Sequence, residues 1–107
     1  MTTQTKTIKE RLQFVRDELK AAADKQGEQA KEHIRVAIDH AEATRREVEA
    51  NLKEQHAKNK VQLESVAEHL TEATRQAKAA IDAKGSQFEE HLKKSLAAAK
   101  AAFEKHA

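Results

Sequence analysis

Residues 28–84 form the longest run of the chain without glycine or proline, and they read EQAKEHIRVAIDHAEATRREVEANLKEQHAKNKVQLESVAEHLTEATRQAKAAIDAK. Gly27 and Gly85, the only two glycines of the chain, flank this run. Its apolar residues recur at steps of three and four, the spacing of one face of an α-helix. They are Ala30, Ile34, Ala37, Ala41, Val48, Leu52, Leu63, Ala67, Leu70, Ala77 and Ile81. The run therefore predicts helix.

The segments on either side of this run predict two shorter amphipathic helices. Apolar residues recur there at the same spacing, namely Ile8, Leu12, Val15 and Leu19 in the first segment and Phe88, Leu92, Leu96 and Phe103 in the last. The sequence thus predicts a single all-α domain over residues 1–107, with helices at about 6–26, 28–84 and 86–106. Glycine is the residue that most readily closes a helix, so Gly27 and Gly85 mark the predicted breaks.

A polar interval at residues 53–60 leaves one alternative open. It contains no large apolar side chain, so it is either a turn between two helices or a polar part of one continuous helix. The apolar face resumes in phase, because Leu63 follows Leu52 by eleven residues, or about three helical turns. Resumption in phase favours a continuous helix over 28–84, and a turn at 53–60 is the alternative.

The composition predicts thin contacts between helices instead of a large core. Leu, Ile, Val and Phe make up only about 18% of the 107 residues, below the ~20% at which a packed core becomes doubtful. Alanine adds 21 residues, which we interpret as helix formers and not as core residues.

Charge and cysteine content exclude several classes of function. Charged residues are 36% of the chain and nearly balanced, with a formal net charge of +2, so the one-sided basic surface of a nucleic-acid binder is missing. Without cysteine, neither disulfides nor thiolate chemistry can occur. The N-terminal residues lack the apolar run of a secretory signal, so a cytoplasmic location is the expectation.

An eleven-residue period runs through most of the chain. Two series at this spacing, one starting at Ile8 and one at Val15, are mostly apolar up to Leu96 and Phe103. In this feature residues 8–103 resemble the amphipathic repeats of exchangeable apolipoproteins and of late-embryogenesis-abundant proteins, and also the phasins that coat polyester granules. The resemblance implies helices that cover apolar surfaces, and it implies no particular functional residue.

No group of residues in the sequence predicts an enzyme, a metal site or a cofactor. The six histidines lack the His-x-x-x-His or Glu-x-x-His spacing that places two metal ligands on one helical face. There is no glycine-rich phosphate loop and no recognisable nucleophile motif. We therefore expect no catalytic, cofactor-binding or metal-binding residues.

The feature left to carry a function is the apolar seam, which we define as thirteen residues along one face of the predicted helices. These are Ile8, Leu12, Val15, Leu19, Ile34, Val48, Leu52, Leu63, Leu70, Ile81, Leu92, Leu96 and Phe103. A long helix cannot cover such a seam by itself, so either the terminal helices fold back on the central one or the chain pairs with a second copy. The sequence favours an extended helical bundle or coiled coil formed by self-association. An antiparallel homodimer is its simplest form, and a four-helix bundle turning at 53–60 is the alternative.

Two functions from different classes follow from this pattern. The first is a non-catalytic helical interaction protein, a self-associating scaffold or adaptor with a possible helical protein partner. The second is an amphipathic surface-coating or stress-protective protein that binds lipid, granule or unfolded-protein surfaces, with weak affinity because interfacial tryptophan is absent. The sequence does not name the biological process or the partner.

Overall fold

Four α-helices make up the computed structural model, which describes residues 3–25, 27–54 and 60–106, with side chains from residues 8–25, 27–53 and 60–105. Helix α1 spans Thr3–Ala23, α2 Gly27–Glu54, α3 Lys60–Asp82 and α4 Ser86–His106. The prediction of an all-α fold is confirmed. The predicted bounds of the last helix agree with α4, whereas the first helix begins and ends three residues earlier than predicted.

The expected continuous helix over residues 28–84 is wrong, because α2 and α3 lie side by side. Lys78 Nζ on α3 is 3.0 Å from Glu42 Oε2 on α2. In one straight helix these residues would be about 54 Å apart, at 1.5 Å per residue. Residues 27–54 and 60–82 therefore belong to two helices packed against each other. The alternative turn at 53–60 includes residues 55–59, which lie outside the described residues.

The helices form a ring in which each one packs against two neighbours. The adjacent pairs are α1 with α2, α2 with α3, α3 with α4, and α4 with α1. Because three residues or fewer separate α1 from α2 and α3 from α4, these pairs are antiparallel hairpins. We call the end of the bundle where both hairpins reverse the turn end.

The dimensions correct the expectation of an extended molecule. The chain measures 45 × 20 × 18 Å, with a radius of gyration of 13.7 Å. A compact chain of this length has a radius of gyration of about 13 Å. The long axis matches the roughly 42 Å length of the 28-residue α2, so the bundle is as long as its longest helix.

Alanine fills much of the core, which also differs from expectation. Of the 21 buried apolar residues in the described part, ten are alanines. A small side chain lets two helix axes approach closely, so residues interpreted as helix formers also act as core residues. This is how a chain poor in large apolar residues buries a continuous interior.

The apolar seam lies mostly inside the bundle. Nine of its residues are at most 8% exposed, namely Ile8, Leu12, Val15, Leu19, Ile34, Val48, Leu63, Leu70 and Leu92. Leu52, Ile81, Leu96 and Phe103 are partly buried against this core. Most of the surface expected to face a second molecule is therefore covered by the chain itself.

The two hairpins resemble one another in sequence around their turns, at an offset of 58 residues. Eight of the sixteen residues from Leu19 to Ile34 recur 58 positions later. The recurring pairs are Lys20 and Lys78, Ala21 and Ala79, Ala22 and Ala80, Asp24 and Asp82, Gly27 and Gly85, Gln29 and Gln87, Glu32 and Glu90, and His33 and His91. Both glycines also adopt the same left-handed backbone, with φ of 62° and 63°. The bundle thus has an internal pseudo-twofold symmetry in which the α1–α4 contact corresponds to the α3–α2 contact.

Candidate functional site: the cleft between α1 and α4

The contact between α1 and α4 is the least extensive of the four adjacent helix pairs. At the end of the bundle opposite the turn end, Phe103 of α4 contacts α1. Lys9 Nζ lies 5.7 Å from the centroid of the Phe103 ring, and Arg16 Cζ lies 4.8 Å from it. Both cations belong to α1 and are within the range of a cation–π interaction. Phe103 therefore links the terminal helices in that half of the bundle.

Towards the turn end the α1–α4 contact opens into a cleft of about 490 Å³. This volume is within the range of ligand-binding pockets, roughly 300–1,000 Å³. The lining residues are Ala23, Lys25, Gly27, Gly85, Phe88, Glu89, Leu92, Lys93 and Leu96. We call this region the α1–α4 cleft. Its apolar wall comes from α4, where Phe88, Leu92 and Leu96 follow one another at four-residue steps.

The two halves of the repeat differ in side-chain size and burial at the opening. The residue that corresponds to Ala23 of α1 is Ile81 of α3, whose larger side chain packs against the core. Leu96 of α4 is only partly buried, whereas the corresponding Ile38 of α2 is 8% exposed. The cleft thus lies where α1 carries the smaller Ala23, and the corresponding α2–α3 contact is more extensive among the described residues.

Three charged side chains surround the apolar wall. Lys25 lies beside the α1–α2 turn, and Glu89 and Lys93 lie one helical turn apart on α4. All three are exposed. Such groups can form ion pairs with a docked molecule, but nothing among the described residues fixes their orientation as a reacting group requires.

Two histidines form cross-helix hydrogen bonds at corresponding positions of the repeat. His33 Nδ1 on α2 is 2.8 Å from Glu18 Oε1 on α1, and His91 Nδ1 on α4 is 2.7 Å from Gln76 Oε1 on α3. Since the carbonyl oxygen of Gln76 can only accept, the Nδ1–H of His91 donates. These bonds hold each hairpin together. In the sequence, these bonds are indicated by the 58-residue repeat, which relates His33 to His91. Spacing patterns within a single helix do not reveal them, because each bond joins two helices.

The hydrogen bond of His91 continues into a short polar network on α3. Gln76 Nε2 donates to Glu72 Oε2 at 2.9 Å, and Arg75 Nη2 donates to the same oxygen at 2.7 Å. These two hydrogen bonds, that from Arg75 first, lower the pKa of Glu72 below its ordinary value of 4.5. The network stabilises the charged form of a carboxylate on the surface.

The described residues also include no group of three or more His, Cys, Asp and Glu side chains placed to hold a metal ion.

A second, smaller cavity of about 290 Å³ lies beside His33 and is lined by Lys25, Glu28, Gln29 and Glu32. Across the part of the chain with described structure, every helix is too short or too polar to span a bilayer. Of these two cavities among the described residues, the α1–α4 cleft is the one with an apolar wall of large side chains beside its charges.

Of the thirteen seam residues, only Leu92 and Leu96 line the cleft. Sequence reasoning placed Phe88, Glu89 and Lys93 on α4 but gave them no role in a site. The apolar face predicted for the first helix extended to Ala22 or Ala23, but the sequence assigned neither Ala23 nor Lys25 to a site, because their position opposite α4 depends on how the two hairpins pack. Comparing the chain with itself at an offset of 58 residues would have revealed the hairpin repeat and the substitution of Ala23 for Ile81.

Comparisons of the chain with protein-family models, with curated proteins and with solved structures find no match.

Proposed function

We propose that this protein is a non-catalytic helical interaction protein, a self-associating scaffold or adaptor, and that the α1–α4 cleft is its contact surface. The observation that supports this most directly is the row of apolar residues on α4. Phe88 and Leu96 are partly exposed on either side of the buried Leu92. A row of apolar side chains at four-residue spacing beside an open groove is the arrangement that receives an amphipathic helix.

The chemistry of the cleft supports a binding role over a catalytic one. Catalysis needs polar groups held in a fixed geometry and shielded from water. The charged lining residues Lys25, Glu89 and Lys93 are all exposed, so water screens them and their side chains can change rotamer. Exposed charges around an apolar centre instead resemble the rim of a protein interface.

The distribution of the seam limits how a second molecule can bind. Because most seam residues are buried within the chain, association through the whole stripe would require the bundle to unfold. Association through the α1–α4 cleft requires no such change. A scaffold of this kind therefore presents one local docking surface on a folded bundle.

We expect the 12.0 kDa chain to sediment as a reversible dimer at micromolar to millimolar concentrations. Leu96→Asp should shift the protein to the monomer, since a charge would face the apolar wall. Val61→Asp is the control, because Val61 is 78% exposed and lies on α3. Sedimentation velocity across this range measures the effect, and circular dichroism verifies that both variants remain helical.

A monomeric protein at every concentration would contradict self-association. Equal behaviour of the Leu96 and Val61 variants would show instead that the dimer uses another surface.

The second candidate function is the coating of an apolar surface such as lipid or a granule. It is favoured by the limited α1–α4 contact, since separating these helices would expose the apolar faces of both hairpins. We expect such a protein to float with anionic phospholipid vesicles. A protein that stays in the aqueous fraction and keeps its helicity unchanged by vesicles would exclude this function.

A further inference from the structure

We propose that the α1–α4 cleft receives a second copy of this chain, whose α4 lies antiparallel to the first α4 and crosses it near Leu92. The inference rests on the self-association proposed above and adds its partner and geometry. In a symmetric dimer the same surface is used twice, so every contact between two different residues occurs twice. A surface that is complementary to itself under this symmetry can bind the same surface of another molecule. We therefore take a second copy of the chain as the occupant of the cleft.

The apolar wall is self-complementary about Leu92. Phe88 and Leu96 lie four residues before and four residues after it. In an antiparallel crossing centred at Leu92, Phe88 of each molecule faces Leu96 of the other, while Leu92 is buried and lies beneath the centre of the contact. These three positions span about 12 Å of helix, enough to cover the partly exposed rings and side chains on both sides.

The charges flanking this wall are complementary in nearly the same register, since their centre lies one residue before Leu92 and the resulting offset of about 3 Å between Glu89 and Lys93 is within reach of a lysine side chain. Glu89 and Lys93 lie one turn apart on the cleft side of α4, with their midpoint at residue 91. In the antiparallel crossing Glu89 of each molecule approaches Lys93 of the other, which forms two ion pairs. A parallel crossing would bring Glu89 near Glu89 and Lys93 near Lys93. Opposite charges thus favour the antiparallel orientation, and like charges oppose the parallel one.

The other half of the repeat provides an internal comparison. The residues of α2 that correspond to Glu89 and Lys93 are Lys31 and Arg35, which are both positive. The residue that corresponds to Phe88 is Ala30, which is fully buried. An antiparallel pairing of α2 with a second α2 would therefore meet like charges without an apolar wall. Only the α4 half of the duplicated hairpin carries the self-complementary pattern.

The turn end of the cleft leaves room for a second helix. Gly27 and Gly85 both line it, and a Cβ atom added to either would have no heavy atom within 4 Å. The entering helix thus meets two positions without side chains, so it can approach the backbone closely.

Charge reversal on α4 tests the inference without disturbing the core. In Glu89→Lys the pairs become lysine against lysine, and in Lys93→Glu they become glutamate against glutamate. Each variant should weaken dimerisation roughly tenfold or more at low salt, because two attractive pairs become repulsive. The double variant Glu89→Lys with Lys93→Glu restores opposite charges and should dimerise about as well as the original protein.

A mixture of the two single variants provides a second readout. The Glu89→Lys chain carries lysine at both positions, and the Lys93→Glu chain carries glutamate at both. The mixture should therefore form heterodimers, whereas each variant alone is largely monomeric. Sedimentation equilibrium with one chain fluorescently labelled measures this. Glu68→Lys, an equal charge change at an exposed position of α3, is the control and should not alter the dimerisation constant.

A dimer that is insensitive to both single reversals would overturn the inference and leave the proposed self-association intact, through another surface. Single variants that remain monomeric when mixed, or a double variant that does not recover, would also overturn it. A wild-type protein that never dimerises would overturn both proposals.

Discussion

Buried hydroxyl groups show how single residues adjust the stability of this bundle. Thr44 donates a hydrogen bond to the carbonyl oxygen of His40 at 2.6 Å, and Ser95 donates one across helices to the carbonyl oxygen of Ala73 at 2.7 Å. Thr74 differs, because its Oγ1 is buried and has no hydrogen-bond partner among the described residues. A buried polar atom without a partner costs about 1–3 kcal/mol.

Thr74→Val should therefore raise the free energy of unfolding by about 1 kcal/mol, since it replaces an unpaired hydroxyl with a methyl group of similar size. Thr44→Val is the matched control. It makes the same substitution at a fully buried hydroxyl that is hydrogen bonded, so it should lower the free energy of unfolding by roughly 0.5–1.5 kcal/mol. Urea denaturation measures both changes. Equal losses in the two variants would show that Thr74 has a partner after all.

At the scale of the helices, the two hairpins depend on a left-handed glycine at each reversal. Gly27 has a φ of 62° and Gly85 a φ of 63°. Residues with a Cβ atom rarely adopt this conformation because Cβ approaches the following carbonyl oxygen. Space is not the constraint, since a Cβ at either position would have no neighbour within 4 Å.

We therefore expect Gly85→Ala to destabilise the protein by about 1–2 kcal/mol through backbone strain alone. Gly85→Asn should cost less, although asparagine is larger, because it tolerates the left-handed conformation. Thermal denaturation followed by circular dichroism compares the two variants. If the asparagine variant were the less stable one, contact with neighbours and not backbone conformation would decide the residue at this position.

At the scale of the whole molecule, the pseudo-twofold symmetry makes the order of the hairpins interchangeable. Residues 55–59 separate the first hairpin from the second. Under the symmetry, the distance from the end of α4 to the start of α1 corresponds to the distance from the end of α2 to the start of α3. Neighbouring helices in a bundle are about 8–10 Å apart, a distance that a five-residue linker can span.

A circular permutant that begins at Lys60 and joins residue 106 to residue 3 through about five glycine and serine residues should therefore fold. We expect the helix content of the original protein and a cooperative thermal transition, measured by circular dichroism. The matched control places the new termini inside α3, between Leu70 and Thr71, where the break would interrupt a helix. Loss of structure in the first permutant, or equal behaviour of both, would contradict the ring arrangement.

The periodicity of the sequence by itself determined that the chain is helical, which face of each helix is apolar, and where the two glycine reversals lie. These properties are local, because helix period and glycine conformation depend on neighbours within a few residues. The alanines that fill the core were interpreted as helix formers only, since their packing role requires a second helix close by.

Only the tertiary structure decided between one long central helix and two. A phase-preserving interval such as residues 53–60 is compatible with both, and the same apolar seam can be buried by a second molecule or by the chain itself. Closing a short connection costs little entropy compared with bringing two molecules together, so burial within the chain prevails for most of the seam. The α1–α4 cleft is also visible only in the tertiary structure, because it depends on Ala23 of one hairpin lying opposite α4 of the other.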